Sequence, residues 1–391
     1  MKLVGKTLYG LEEVLAAELS ALGADKVRAG NRAVTFEGSK ELLYKVNYNS
    51  RTALSFLVPV AEFSIAKPTD LYDGAVRVEW DRYLDPDKTY AVSSVVTSKH
   101  FTHSGYPALV VKDAIADFFR RLTGKRPSVD PRSPDLLVNL HISHERVIIS
   151  LDSTVMPLYK RGYREEQVAA PLNEVLAAGM IMLTGWKADV PLVDGMCGSG
   201  TIVSEAGLIA CNIAPGRFRK NFGFMKWKDF DDAMFRSVRF DAEKKERKSP
   251  VKIFGSDISA EATRIANTNI TGAGLRNTVT VTQADFLHTP PPAEKGLLIM
   301  NPPYGQRIGG EGMTGFYREI GSCLKHNYHG YKAWILSGDR EALQAVGLKT
   351  TRKYDLYNGN IECRFHGYDL YEGSMKIKGE EGQSGTLAFE V

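Results

Sequence analysis

The stretch Pro191-Leu192-Val193-Asp194-Gly195-Met196-Cys197-Gly198-Ser199-Gly200-Thr201 constrains this chain more than any other. Leu192 and Val193 read as the end of a buried strand, and residues 202–209 as the helix that follows. Glycine between them permits positive φ and has no Cβ to hold a ligand off the backbone. The spacing is G-x-x-G-x-G. A dinucleotide fingerprint is G-x-G-x-x-G, and a P-loop needs a Lys-Ser/Thr pair that is missing here. Asp194 would repel a pyrophosphate and welcome a ligand with a positive end. Taken with Asn301-Pro302-Pro303-Tyr304 downstream, the loop becomes a strong signal.

From Pro171 onward helices and strands alternate, the mark of a doubly wound parallel sheet. The pattern predicts helices over 172–183, 260–271, 316–326 and 340–346, and strands at 192–194, 251–257, 279–283, 297–300 and 333–337. An insertion of mixed basic and aromatic character occupies 213–250, and the aromatic residues Phe222, Phe224 and Trp227 read as anchors to the core. Strands near 349–357 and 362–371 predict an antiparallel hairpin at the sheet edge.

Four features fall at the C-terminal ends of successive predicted strands, where open parallel sheets bind ligands. They are Asp194 with its glycines, Asp257, Asp285, and the Asn301 tetrad. Asp257 can accept hydrogen bonds from both hydroxyls of a ribose. Asp285 can accept from an adenine amino group, with Phe286 near the ring. Asp194 can sit near an amino-acid ammonium. Ribose, adenine and ammonium together describe S-adenosylmethionine better than NAD. Gly195, Cys197, Gly198, Gly200, Thr201, Ile258 and Asn301 complete the expected cofactor shell. A lone strand-end Asp is often just a helix N-cap, but three at successive ends, beside this loop, weaken that reading.

Asn301, Pro302, Pro303 and Tyr304 supply an acceptor side. An aromatic exocyclic amine is a poor nucleophile because its lone pair is delocalised into the ring. The Asn301 side-chain oxygen and the Pro302 carbonyl can each accept one N–H, which favours a pyramidal nitrogen. The prolines fix φ and remove competing donors, and Tyr304 can stack on the base. Positioning and electrostatics then supply the rate.

The N-terminal part predicts two α+β units, residues 1–60 and 61–155, with a connector at 156–170 and the catalytic sheet over 171–375. Residues 376–391 are polar and read as a flexible tail. In the first unit, Leu11, Leu15, Leu19 and Leu22 fall at helical spacing, and strands are expected at 32–36 and 53–60. In the second, a β-rich run at 89–97, an amphipathic helix over 108–122 and a hairpin formed by 136–142 and 147–151 are expected. Basic and aromatic residues gather there: Lys99 and His103 in one loop, Arg120 and Arg121 at the helix end. Such groups suit RNA phosphates and unstacked bases; a solvated surface loop is the alternative. Lys160, Arg161, Tyr163 and Arg164 in the connector would suit a strand of RNA crossing between domains, with a tight interdomain turn as the alternative.

The net charge of +4, from 50 basic and 46 acidic residues, confines any nucleic-acid surface to local patches. No stretch reaches membrane-spanning length, and the start shows no long apolar region of a secretory leader. The four cysteines form no C-x-x-C pair and read as reduced thiols in a cytoplasmic protein. The histidine pairs His100/His103, His141/His144 and His326/His329 have no cysteine or carboxylate cluster beside them, so no metal site is expected.

With these motifs the sequence resembles the bacterial THUMP-containing class I RNA methyltransferases, specifically the 23S rRNA guanine-N2 group. The likeness covers nearly the whole chain. It rests on the Leu158-Tyr159-Lys160-Arg161-Gly162-Tyr163-Arg164 connector, the Asp194–Thr201 loop, Ala214-Pro215-Gly216 with Trp227, and Asn301-Pro302-Pro303-Tyr304-Gly305. It implies a ferredoxin-like unit plus THUMP that binds RNA, and a seven-stranded Rossmann-like sheet that holds S-adenosylmethionine. The implied product is N2-methylguanosine. The tetrad also occurs in enzymes that methylate adenine N6 or glutamine, so the target amine rests on the family likeness. A transfer RNA guanine and a non-catalytic RNA-binding assembly role remain the alternatives. Some members carry a second methyltransferase domain, for which this sequence is too short.

Overall fold

A computed structural model describes residues 1–166, 171–303 and 310–372. The N-terminal part is one eight-stranded sheet. Its strands are β1 (Lys2–Thr7), β2 (Asp25–Gly30), β3 (Ala33–Glu37), β4 (Ala53–Ser64), β5 (Thr89–Thr97), β6 (Ser128–Val129), β7 (Leu136–Ser143) and β8 (Arg146–Asp152), in the order β2-β3-β1-β4-β8-β7-β5-β6. The expected division at residue 60 therefore falls inside β4. That strand pairs with β1 through its first half and with β8 through its second. A register shift sits between Pro59 and Ala61, because proline has no N–H to give the ladder.

Helices Glu12–Leu22 and Lys40–Asn49 cover the first half of this sheet, and Thr69–Val76 and Gly105–Thr123 the second. Leu15, Leu19, Phe36, Val46 and Phe56 form the core of the first half; Trp80, Val111, Ile115, Phe119 and Leu140 that of the second.

The C-terminal part is a seven-stranded sheet. Its strands are β9 (Leu192–Asp194), β10 (Ile253–Asp257), β11 (Val279–Gln283), β12 (Leu297–Met300), β13 (Lys332–Ser337), β14 (Thr350–Asn358) and β15 (Ile361–Asp369), in the order β11-β10-β9-β12-β13-β15-β14. The first five are parallel; β15 and β14 form the antiparallel edge hairpin. The order reverses between β9 and β12. Strands β9 and β12 are neighbours, so the glycine loop and Asn301 leave the sheet side by side.

The insertion after helix Thr201–Ala210 touches the catalytic core through Ile213 and Phe218, but most of it packs elsewhere. Its aromatic side chains join the core of the N-terminal unit. Phe224 stacks on Tyr44 with centroids 4.4 Å apart, and Phe222 on Phe224 at 5.3 Å. Gly216 rests against the Tyr48 backbone, where a Cβ would lie 2.6 Å from the carbonyl oxygen. Arg51, from the N-terminal unit, donates to the Ile213 carbonyl at 2.9 Å just beyond that helix. The anchoring role expected for Phe222, Phe224 and Trp227 thus holds, with the N-terminal core as the main anchor.

Candidate active site

A cleft of about 390 Å³ opens at the C-terminal ends of β9, β10 and β12. Asp194, Gly195, Cys197, Gly198, Thr201, Asp257, Ile258, Asp285, Phe286, Asn301 and Pro303 all line it. Most residues expected to hold a cofactor therefore share one space with Asn301 and Pro303 of the expected acceptor side; Gly200 and Pro302 do not line it.

Local bonds explain how the loop keeps its shape. Gly198 and Gly200 have φ of 52° and 78°, which favour glycine. The Gly198 N–H donates to Asp257 Oδ2 at 2.9 Å, and the Cys197 N–H to the Ser256 carbonyl at 2.9 Å. Strand β10 thus fastens the loop made by β9. Gly195 lies against Phe286, whose ring would meet a Cβ at 2.2 Å. A side chain there would push the loop into the cleft.

The acids differ. Asp194 is buried and accepts from the Met196 N–H at 3.2 Å. Burial pushes its pKa up to about 8; the nearby Asp257 charge adds to this and the Met196 bond opposes it. Asp257 receives Gly198 N–H on one oxygen and Ser259 N–H on the other, at 3.0 Å. A carboxylate has about four lone-pair sites, so each oxygen keeps one for a ligand hydroxyl. Asp285 is held below the usual carboxylate range, chiefly by His288 Nδ1 at 2.8 Å. Ile258 stands 70% exposed at the cleft rim, an apolar surface suited to a flat ring. Burial and the acids push the Cys197 thiol well above its ordinary range, so it is a packing group rather than a nucleophile.

On the acceptor side, the Asn301 Oδ1 atom is buried and, among the described residues, has no hydrogen-bond partner. Buried polar atoms are almost always satisfied, so this orphan leaves an acceptor open at the cleft wall. The Tyr317 hydroxyl lies 3.4 Å from the Pro303 carbonyl and 2.9 Å from Ser337 Oγ, and its single proton serves one of the two at a time. Pro302 is buried and does not line the cleft with its neighbours. Tyr304 lies outside the described residues.

The expected RNA-binding residues divide. Lys99, His103, Arg120 and Arg121 are exposed on the second N-terminal unit. Lys99 meets Glu145 at 2.9 Å and Arg120 meets Asp117 at 2.7 Å. Lys160 is exposed. Arg161, Tyr163 and Arg164 are corrected. Arg161 is 1% exposed, donates to the Arg51 and Leu158 carbonyls, and faces Glu205 at 3.4 Å. Tyr163 is 2% exposed and donates to Glu205 at 3.0 Å. Arg164 pairs with Glu174 at 2.9 Å and donates to Thr201 Oγ1 at 2.8 Å. Arg161 and Tyr163 are buried and spent on these bonds, and Arg164, half-buried, is directed to Glu174 and Thr201; all three tie the connector to the catalytic helices.

Sequence reasoning missed Pro171, Leu172, Met196 and Phe316 as cleft walls, and His288 as the holder of Asp285. The i, i+3 spacing from Asp285 to His288 was the available signal for the last. Among the described residues no group of acids, histidines and cysteines is arranged to hold a metal ion.

Strand order, glycine turn and acids at the next two strand ends define a class I, S-adenosylmethionine-dependent methyltransferase. The acidic, desolvated floor and open acceptors fit the cationic donor. The chain belongs to the RMKL-like methyltransferase family, whose methyltransferase domain matches residues 161–366; a THUMP domain matches 66–152 and an RlmL ferredoxin-like domain 2–54. A Synechocystis protein provisionally named an RNA methyltransferase is 38% identical over 93% of this chain and 95% of its own length. The ribosomal RNA large subunit methyltransferase K/L of Methylococcus capsulatus is 38% identical over 92% of this chain and 50% of its own. The chain thus spans about half the length of the K/L relative. A methyltransferase structure solved with SAH, the demethylated form of the donor, superposes with a TM-score of 0.86 at 29% identity, over 95% of this chain and 99% of that one. The structure of a Listeria monocytogenes protein named as a predicted N6-adenine-specific DNA methylase gives 0.84 at 29% identity, over 94% and 96%.

Proposed function

We propose that this chain methylates the exocyclic N2 amine of a guanosine in RNA, and that the RNA is that of the large ribosomal subunit. The observation that carries the reading is the buried, unpartnered Asn301 Oδ1 in the same cleft as Asp194, Asp257 and Asp285. The THUMP match and the names of the K/L relatives support the choice of RNA.

Bound S-adenosylmethionine supplies an electrophilic methyl group on a sulfonium. The chain supplies the rest. Asn301 Oδ1 takes one N–H of the amine, which draws the nitrogen out of conjugation; Pro302, buried and off the cleft wall, does not supply the second acceptor expected of it. Asp194 sits by the donor's ammonium, Asp257 holds the ribose, and Asp285 holds the adenine amine. An extruded or single-stranded guanine is the form that fits, since a paired base cannot present its amine to such a cleft. No strong base is needed before attack, because the proton leaves the nitrogen afterwards. The reading puts the protein in the cytoplasm, with the RNA it modifies.

Incubation with labelled S-adenosylmethionine and total RNA, then nucleoside chromatography, tests this. Label in N2-methylguanosine from 23S RNA is expected. The likeness to the Listeria protein favours a second reading, adenine N6, which predicts label in N6-methyladenosine. Absence of label from all nucleic acid would point to a non-catalytic RNA-binding protein, and label in transfer RNA alone would move the substrate.

A further inference from the structure

A second cleft, of about 300 Å³, lies where the THUMP unit, the connector and the insertion meet. Arg132 enters it from the loop before β7, Lys160 from the connector, and Arg219, Lys220 and Lys226 from the insertion. Sequence positions from 132 to 226 thus converge on one concave surface. Among the described residues, Arg132, Lys160 and Lys220 meet no carboxylate side chain in an ion pair, and all three are exposed. Lys226 is shared between Asp135 at 3.2 Å and the Pro134 carbonyl at 3.2 Å.

Arg219 is the fixed member. It donates to the carbonyls of Met156, Pro157 and Lys160 at 2.6, 3.0 and 2.9 Å, and its guanidinium lies 5.2 Å from the Phe222 ring centre. Those partners orient the fork without neutralising it, and its buried Nε has no partner among the described residues. Burial and Arg161 lower its pKa to about 10, so it stays charged at neutral pH. The acid that faces it, Asp152, is buried, and burial pushes that carboxyl up toward its neutral form.

We infer that this cleft seats a phosphate of the RNA backbone between the THUMP unit and the methyl-donor site. The inference rests on the proposed RNA substrate and says where that RNA runs. A planar, oriented arginine beside exposed lysines is the arrangement that recognises phosphate. The space takes a phosphodiester and its sugar, and is too small for the edge of a folded protein. The connector forms one wall, and a few residues on, its Arg164 donates at 3.2 Å to the carbonyl of Leu172, which lines the donor cleft, so one segment joins the two clefts.

The test uses the full chain carrying K160E and K220E together, with R132E separately. Both proteins expose these side chains, so folding is checked by Tm and by affinity for S-adenosylhomocysteine, both expected to match wild type. Binding of a fluorescent single-stranded RNA from 23S RNA is titrated across KCl concentrations. The double variant is expected to lose about tenfold or more in affinity, with a salt slope smaller by about 0.7 per lysine. Wild-type binding with an unchanged variant overturns the seat alone. Wild type that binds no RNA overturns the RNA reading and the seat with it. Poly-aspartate that competes as strongly as RNA at equal charge overturns the assignment to a nucleic acid.

Discussion

The connector and the cleft it backs both bury polar groups, and they treat them in opposite ways. In the connector, Arg161 sends its donors to two carbonyls and to Glu205, and Tyr163 adds another bond to the same acid. In the cleft, Asn301 Oδ1 is equally withdrawn from water and is given no partner among the described residues. A satisfied buried group holds elements together; an unsatisfied one stores an interaction for something that arrives later. The same contrast separates Arg161 from Arg120, which resembles it in sequence yet stands in solvent beside Asp117.

The sharpest way to break this contrast is Arg161→Ala. It strands Glu205 in a dry interior, and a broken buried pair typically costs about 3–5 kcal/mol. Chemical denaturation should show that loss, and a change under about 1 kcal/mol would mean the knot is not structural. Asn301→Ala is its mirror image. Turnover should fall by about 10²–10³, the size seen when one aimed polar group is lost from a reacting site. Tm should hold or rise, since an unsatisfied acceptor has gone; a drop in both would place Asn301 with Arg161.

Asp194 gives a pH signature. Its folded pKa is raised to about 8 from 3.8. The stability it contributes to the ligand-free protein is therefore present below about pH 4 and lost as pH rises through 8. Asp194→Asn should flatten that slope in Tm against pH. Affinity for S-adenosylhomocysteine, which carries an ammonium, should climb toward pH 8 by at most about tenfold per unit, and a flat wild-type profile would deny the ammonium contact. The smallest effect belongs to Arg120→Ala with Arg121→Ala. Stability should move by no more than about 0.5 kcal/mol, as for other exposed charges. Calorimetry that finds more would erase the distinction between the outer and inner arginines.

The catalytic sheet was legible because its ligand-bearing residues sit at strand ends, and strands such as Leu297–Met300 are continuous apolar runs. The first strands were not. In β1 the buried positions are Leu3, Gly5 and Thr7, so hydrophobic alternation is masked; Gly5 is small because Phe56 lies 3.0 Å from where its Cβ would be. Nearly all of β2 is exposed and has no alternation to read. The connector arginines were misjudged because their partners lie at positions 174 and 205. A signal existed: Glu205 is the one charge in the apolar helix Thr201–Ala210. A carboxylate buried there demands a cation, and the nearby chain offers Arg161 and Arg164.

The aromatic stack that joins the insertion to Tyr44 also sets what can be cut from this molecule. Three recognisable modules follow one another along the gene, yet the solid object does not come apart at their seams. A fragment begun at residue 161 would carry Phe222, Phe224 and Phe235 without the Tyr44 and Tyr48 rings they pack against, and a helix whose far end had lost Arg51. The methyl-donor turn lies at the near end of that helix. Whatever loosens the front of the protein is thereby felt, three turns later, where the chemistry is done.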